Sequence, residues 1–264
     1  MSLKVPGRTL RGVAPFITLA ALIALWFLAT RVLGAPAMLL PDPAVTAAAL
    51  WQGLRSGELA ADALVTVSSA ATGYVIGAAI AFTLAAAMAL SRWADNLLYI
   101  PMIAFQSIPK VALAPLIFVW VGFGARSSVA LVALASIYPV FVNSLAGFRA
   151  VDPNLVDLLR ASGAGPLRIF WSVRLPSAAP QVFVGLEISV VFALLAAVVM
   201  ELVAGERGLG VRIMAASATL DMATVFGAVI SLAIVGLVAS ALLRAVRRKL
   251  LFWQADSRTV EATA

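Results

Sequence analysis

Two acidic residues within one long apolar segment are the first side chains in this sequence that could do chemistry. Glu187 lies near the middle of the segment 178–203, and Glu201 lies near its end. An ionisable group in apolar surroundings is a candidate for carrying a proton or lining a pathway. On a helix the two carboxylates would be roughly 21 Å apart, and this distance excludes a paired-carboxylate acid–base site.

Each of these acids also has a structural interpretation. Glu201 could form an ion pair with Arg207 or Arg212, which follow it closely in the sequence. Glu187 could be protonated, or it could be buried and paired across a subunit interface. The sequence alone leaves these alternatives open.

A second polar region interrupts the apolar segment 97–121. Its prolines and polar residues are Pro101, Gln106, Ser107, Pro109, Lys110 and Pro115. Proline removes a helix hydrogen bond, and the freed carbonyl is tolerated at membrane depth only against protein or a water-filled cavity. The stretch Gln106–Pro115 therefore either lines a translocation path or gate, or is a kinked structural helix with Lys110 near the membrane surface.

The composition excludes most familiar enzyme mechanisms. The chain has Cys 0 and His 0, so disulfides, thiol chemistry, Ser-His-Asp catalysis and zinc sites of the HExxH type are absent. No glycine-rich GxxxxGK[ST] phosphate loop occurs either, so this chain is not expected to bind ATP. We expect no catalytic residue, no bound metal and no bound cofactor.

The elements that must position these residues are membrane spans. Of the 264 residues 63% are hydrophobic and 12% are charged, which is typical of an integral membrane protein. A span needs about 20 mostly apolar residues, and six segments qualify: about 13–33, 63–90, 97–121, 128–148, 178–203 and 224–245. We expect one transmembrane domain over residues 1–264, with one sizeable cytoplasmic segment at 149–176.

The distribution of basic residues orients these spans. With both termini in the cytoplasm, the inner side holds Lys4, Arg8, Arg11, Arg92, Arg149, Arg160, Arg168, Arg174, Arg244, Arg247, Arg248, Lys249 and Arg258. The outer side then holds only Arg31, Arg55, Arg126, Arg207 and Arg212. This bias satisfies the positive-inside rule. The net charge of +7 is therefore a topology signal, and nucleic-acid binding is not expected.

Two further patterns predict local structure. Small residues recur every fourth position in the second segment, at Ser69, Gly73, Gly77, Ala81, Ala85 and Ala89, and predict close helix packing. In the first outer loop, Pro41 and Pro43 precede an amphipathic stretch at 44–54, which we expect to form an interfacial helix.

The cytoplasmic segment reads as two short amphipathic helices. Asp152 and Pro153 mark a helix start, and Gly163 and Gly165 mark its end. A second helix with Ile169, Phe170 and Val173 on its apolar face is expected to follow, before Pro176 opens the fifth span. Such a pair is either a docking surface for a partner protein or a connector lying against the membrane.

This segment resembles the signature of importer permeases in the ATP-binding cassette superfamily: Glu-Ala-Ala, three residues, Gly, nine residues, Ile-x-Leu-Pro. Asp157 stands for the Glu, Leu158 and Leu159 for the alanines, and Val173 for the Ile, while the Gly, Leu and Pro are identical. The resemblance implies that a coupling helix contacts an ATPase through Asp157, Leu158, Leu159, Arg160, Ala161, Gly163, Leu175 and Pro176.

Other stretches are similar to permeases for aliphatic sulfonates, taurine and nitrate. These stretches are LLPDP at 39–43, IPKVALAPLIFVWVGFGARS at 108–127, YPVFVNSLAGFRAVDP at 138–153 and VVMELVAGERGLG at 198–210. The candidates for the pathway or gate come from the polar residues and prolines within the third and fifth apolar segments: Gln106, Pro109, Lys110, Pro115, Glu187 and Glu201.

What the resemblance implies is an all-α protein with six transmembrane helices, the MetI-like type I importer permease fold and cytoplasmic termini. It would sit in the inner membrane of a bacterium as a homodimer over two ATPase subunits that hold ATP and Mg²⁺. An external binding protein would deliver a small solute, which alternating access would pass inward. A sulfonate, taurine or nitrate-like anion is the expected solute, and a thiamine precursor or another heterocycle is the alternative.

Two functions of other classes compete with this interpretation. One is a secondary carrier driven by protons through Glu187. The other is an intramembrane lipid-processing enzyme using Glu187 or Glu201, which is disfavoured because the sequence offers no clustered acids and no nucleophile–base pair.

Overall fold

The computed structural model of the chain describes residues 8–34 and 36–252, with side chains from Ile17 onward in the first helix. Regular structure in these ranges is helical throughout, which confirms the all-α fold. The helices are α1 (Arg8–Arg31), α2 (Pro43–Arg55), α3 (Glu58–Leu90), α4 (Arg92–Ser107), α5 (Ala114–Val121), α6 (Ala125–Arg149), α7 (Pro153–Ala161), α8 (Pro166–Ile169), α9 (Leu175–Ala204), α10 (Leu209–Ala218) and α11 (Met222–Leu250). A 3₁₀ segment, Lys110–Leu113, precedes α5, and a π-helical segment, Phe170–Arg174, joins α8 to α9.

Four described helical runs are long and apolar enough to cross a bilayer: α3, α6, α11 and the run Pro166–Ala204. The helices α4 and Lys110–Val121 qualify together, as a pair bent by 84°. In α1 the apolar stretch Ile17–Arg31 is shorter than these spans. The count of six spans therefore stays a prediction. So does the cytoplasmic location of the termini, since both termini, Lys4 and Arg258 lie outside the described residues.

The fifth span begins differently from the sequence prediction. Pro166–Ala204 forms one continuous helical run, so Pro176 does not open a new helix after a separate short one. The reason is the π-helical turn directly before this proline, where the Leu175 N–H donates to the carbonyl of Phe170. This wider turn lets the helix continue through a residue that has no N–H to donate.

The chain divides into two units, of which the smaller comprises the residues up to Ala61 together with Arg212–Ser231. In it, Trp26 Nε1 donates to the carbonyl of Pro41 at 3.0 Å. Asp42 caps α2 by accepting from the Ala44 N–H at 2.7 Å. Hydrogen bonds from the Arg31 side chain and from the Ala44 N–H lower the pKa of Asp42. The helix predicted at 44–54 is thus present, while its interfacial location stays a prediction.

The larger unit comprises Asp62–Val211 and the residues from Leu232 onward. The small residues of α3 pack against α6, as their spacing predicted. A Cβ atom added at Gly77 would lie 2.4 Å from the carbonyl oxygen of Ala133, and one at Gly73 would lie 2.6 Å from that of Val129. Such distances are shorter than any real contact, so only glycine allows this approach.

Helix α6 also packs closely against α9. A Cβ atom at Gly185 would lie 2.8 Å from the carbonyl oxygen of Pro139. The Ser189 hydroxyl donates to the carbonyl of Ser136 at 3.2 Å. Helix α6 is therefore the central helix of this unit, with α3 and α9 each in close contact with it. The single-domain organisation predicted for residues 1–264 stays a prediction.

Candidate functional site

The segment 149–176 folds into the capped helix that its sequence predicted. The Asp152 carboxylate accepts from the Asn154 N–H at 2.9 Å, and Pro153 lies in the first turn of α7. After α7, Gly163 adopts a φ of +77°, and the Ala164 N–H donates to the carbonyl of Leu159 at 2.9 Å. A glycine in this left-handed conformation satisfies the last carbonyls of a helix and ends it.

Most of α7 is exposed, including apolar side chains. Leu158 is 64% exposed, whereas Val156 is the buried residue of this helix at 7%. Asp157 and Arg160 form an exposed ion pair at 3.2 Å along the same helix. Exposed leucines on a short amphipathic helix are typical of a surface that a partner covers.

The structure separates the predicted coupling residues into two groups. Asp157, Leu158, Leu159, Arg160 and Ala161 lie on α7, and Gly163 forms its C-terminal cap. Leu175 and Pro176 lie at the beginning of α9 and are half-buried.

A cavity of about 300 Å³ lies behind α7, lined in part by Ala89, Arg149, Val156 and Arg174. At its edge Arg149 forms an ion pair with Asp95 at 2.5 Å. Arg174 donates to the carbonyl of Ala89, at the end of α3. No sequence pattern indicated either contact, because each joins residues far apart in the chain.

The bent pair of helices breaks at Pro109, one of the three prolines that predicted an interruption, whereas Pro101 lies inside the continuous helix α4. Ile108 and Pro109 are extended, and Pro115 lies in the first turn of α5. Lys110 Nζ donates to the carbonyl of Gln106 at 3.1 Å. This carbonyl is one of those left without a helical partner at the end of α4, so Lys110 caps that helix.

The Lys110 ammonium also lies against aromatic rings. It is 5.3 Å from the ring centre of Phe105 and 5.4 Å from that of Tyr138, which is within the range of cation–π attraction. Gln106 and Pro109 are exposed at the break. The break thus presents a fixed positive charge beside exposed polar groups.

Glu187 has a partner within its own chain. Its Oε1 accepts from Arg247 Nη1 at 3.2 Å, joining α9 to α11. Nearby, the Tyr74 hydroxyl donates to the carbonyl of Leu186 at 3.2 Å. The sequence suggested pairing across a subunit interface or protonation, and the pair with Arg247 was missed because the two residues are far apart in the chain.

Glu201 is 2% exposed and is enclosed by the loop that follows α9. Its Oε2 accepts from the Gly210 N–H at 2.7 Å. A Cβ atom at Gly208, where φ is +129°, would lie 2.4 Å from the Glu201 carboxyl carbon. The Leu209 N–H donates to Thr66 Oγ1 at 2.9 Å, so α3 and α9 both hold the loop.

The ion pair that the sequence suggested for Glu201 is therefore wrong. Its partner is a backbone N–H of the glycine-rich loop, and Arg212 instead pairs with Glu58 at 3.1 Å. The physical reason is that the glycines, which have no side chain, let the loop backbone approach the carboxylate within hydrogen-bond distance. The backbone then occupies the space that an arginine side chain would need. The repeated glycines of GERGLG were the signal for such a close approach.

The candidate pathway residues thus lie at three places in the larger unit: the break after α4, the ion pair of Glu187 and the loop around Glu201. Within residues 8–34 and 36–252, no group of three or more His, Cys, Asp or Glu residues could hold a metal ion.

A helical chain with several apolar helices long enough to cross a bilayer is of the class of multi-pass membrane proteins. Its family is that of the binding-protein-dependent transport system inner membrane component, whose model matches residues 77–252, and the chain belongs to this family. The protein is therefore a permease of the inner membrane, and its family is one of transport components, not of enzymes.

Relatives with different solutes are similar over most of the chain. The riboflavin transport system permease protein RibX of Chloroflexus aurantiacus is 35% identical, over 91% of this chain and 90% of the relative. The taurine transport system permease protein TauC of Escherichia coli K12 is 29% identical, over 90% of this chain and 89% of the relative. The formylaminopyrimidine transport permease protein ThiX of Halalkalibacterium halodurans is 26% identical, over 94% and 98%.

The fold is similar to that of a solved importer. A structure of the MetNI methionine ABC transporter in inward-facing conformations matches with a TM-score of 0.60 and 20% identity, over 73% of this chain and 97% of that chain. This similarity confirms the MetI-like permease fold.

Proposed function

We propose that this chain is the permease subunit of an ATP-driven importer that receives a small solute from an external binding protein and passes it to the cytoplasm by alternating access. The observation that carries the proposal is α7, an exposed capped helix ended by a left-handed Gly163. It has the spacing of the importer signature and offers leucines for a partner to cover.

The partner of α7 is an ATPase subunit. Its groove covers the leucines of α7, while the exposed Asp157–Arg160 pair adds polar contacts at the edge. In a homodimer of the permease, two α7 helices contact two ATPase subunits, which hold ATP and Mg²⁺. One rigid element shared by both proteins lets ATP-driven closure bias a two-state transporter.

Reconstitution of the permease with its ATPase and binding protein tests this coupling. Gly163→Pro prevents the positive φ, and Asp157→Lys removes the ion pair and reverses a charge on α7. Both should abolish solute-stimulated ATP hydrolysis while membrane insertion stays normal. Gly165→Ala is the matched control, because no atom lies within 4 Å of its added Cβ. Stimulation that is unchanged in both variants would contradict the coupling role.

We further propose that the break after α4 lines the solute path, with Gln106, Pro109, Lys110 and Pro115 at the path itself. The exposed polar groups and the fixed ammonium at this break support the proposal. Glu187 acts near the middle of α9, where it holds helix α11, and Glu201 acts near the outer end, where it holds the outer loop.

Substitutions at the break separate charge from shape. Lys110→Ala and Gln106→Leu should reduce solute uptake while the complex assembles normally. Lys110→Arg keeps the charge and should retain most uptake. Normal uptake in the first two variants would leave the break as a structural kink.

The solute class we propose is a small anion such as a sulfonate, since Lys110 and the exposed Arg126 supply positive charge in the larger unit. The relative named for taurine transport supports it. A heterocyclic solute is the second candidate, favoured by the relatives named for riboflavin and formylaminopyrimidine transport. Native mass spectrometry of the partner binding protein, followed by competition with taurine and riboflavin, decides between them.

A proton-driven carrier makes the opposite prediction about energy supply. Its candidate group, Glu187, lies beside Arg247, whose guanidinium stays charged in proteins. Uptake in ATPase-free vesicles under a proton gradient would support the carrier and overturn the importer.

A further inference from the structure

The coupling helix α7 is joined only loosely to the helices behind it. Val156 is its buried side chain, and the cavity of about 300 Å³ lies between this side chain and Met88, Ala89 and Arg149. A movement of α7 is transmitted through a protein interior only where side chains are close-packed. The cavity beneath α7 therefore makes direct contact with the helices behind it a poor route for that movement.

The chain that follows α7 is packed differently. Ile169 and Phe170, at the junction of α8 and the π-helical segment, are 5% and 3% exposed. The Phe170 ring centre lies 5.2 Å from that of Phe148 on α6. The Phe148 ring centre in turn lies 5.8 Å from that of Phe82 on α3. We call these three rings the aromatic wedge.

The π-helical turn explains how Phe170 reaches this place. A π turn adds one residue to a helical turn and redirects the side chains around it, and such turns often occur at functional positions. Trp171, the next residue, is 61% exposed, and its ring lies edge-on to the Phe170 ring with 5.6 Å between the ring centres. Arg174, four residues after Phe170, fixes this turn to the end of α3 through the carbonyl of Ala89.

We propose that Phe170 is the positioning residue that transmits the movement of α7 into the membrane helices. It does so through the aromatic wedge, by pressing on Phe148 of α6, which in turn contacts Phe82 of α3. The inference rests on the proposed importer function and adds the route by which coupling enters the bundle. In this role Phe170 acts by fixing the π turn against Phe148. Its ring is rigid, so a shift of α8 must move Phe148 or open a gap.

The test uses the complete importer of permease, ATPase and binding protein in proteoliposomes, with the solute that its binding protein retains. Phe170→Leu keeps an apolar side chain of similar burial but loses the ring contacts. We expect normal assembly and normal basal ATP hydrolysis. The number of solutes moved per ATP should fall about fivefold, the effect of losing one ring–ring interaction in a two-state equilibrium. Phe170→Tyr keeps the ring and should restore much of the coupling.

Leu167→Ala is the matched control, since it removes an apolar side chain that is 64% exposed from α8, directly before the π-helical turn. It should leave the solute-to-ATP ratio unchanged. A ratio in Phe170→Leu equal to that of the wild type would overturn the proposal. So would failure of Phe170→Leu to assemble, because Phe170 would then serve folding alone. If the wild-type complex moves no solute on ATP, the proposed function itself fails, and this outcome is distinct from a failure of the wedge.

Discussion

A single methyl group at Gly77 should force α3 and α6 apart. The Cβ of Gly77→Ala would lie 2.4 Å from the carbonyl oxygen of Ala133 and 2.9 Å from the Cβ of Ser136. Neither atom can rotate away, because one belongs to the helix backbone and the other is fixed to it. The two helices must therefore separate, or one of them must shift along its axis.

The size of the effect follows from these distances. Ordinary van der Waals contact begins near 3.4 Å, so relief of the overlap needs a displacement of about 1 Å, enough to lose a quarter to a half of each contact energy along the interface. Overpacking of this kind costs about 2–3 kcal/mol. The corresponding decrease in melting temperature is roughly 6–10 °C for a protein of this size.

Thermal unfolding of the purified permease in one detergent measures this decrease. Gly236→Ala is the matched control, since it adds the same methyl group to a helix of the same unit. Its Cβ would lie 3.4 Å from Leu194 Cδ1, the end of a flexible side chain. We expect the control to melt at the wild-type temperature or slightly above it, because alanine favours a helix. Equal melting temperatures for the two variants would refute the close-packing argument.

Three further predictions concern acidic residues. Glu201→Ala leaves the Gly210 N–H without its acceptor and should lower the free energy of unfolding by about 2–3 kcal/mol. Glu201→Gln keeps an acceptor and should lower it less, and chemical unfolding curves measure both variants. Glu187→Arg should destabilise the protein by about 1–3 kcal/mol, and combining it with Arg247→Glu should recover much of this loss in the same measurement. Hydrogen bonds from Thr224 lower the pKa of Asp221 in the folded protein, so the ionised carboxylate stabilises the folded state at a pH above its unfolded pKa of about 3.9. The difference in free energy of unfolding between wild type and Asp221→Ala should disappear as the pH falls below that value.

The sequence predicted local structure well wherever neighbouring residues determine it. Asp152 with Pro153 predicted the start of α7, and Gly163 predicted its end. The proline at 109 predicted the break in the third apolar segment. The spacing of small residues around Gly77 predicted close packing, although it did not say that α6 would be the partner.

The sequence prediction failed where the structure depends on residues distant in the chain or on an unusual helical turn. Pro176 looked like a helix start, since proline favours the first turn, but the π turn before it lets the helix continue. No sequence pattern marks a π turn. The apolar character of Phe170 was visible, yet its position against Phe148 follows from that turn.

The two carboxylates of α9 show why residue type and spacing did not settle function. Both acids lie on one helix in apolar surroundings, so the sequence made both candidates for carrying a proton or lining the pathway, and it made Glu187 the candidate for a proton-driven carrier. The structure gives them different environments: an arginine side chain binds Glu187, and a backbone N–H of the glycine-rich loop binds Glu201. Glu187 joins α9 to α11, and Glu201 joins α9 to the loop that follows it. Both are structural contacts, and neither needs a proton to move. The proposed importer needs neither acid as its source of energy, and α7 is the exposed element that the proposal assigns to the contact with the ATPase.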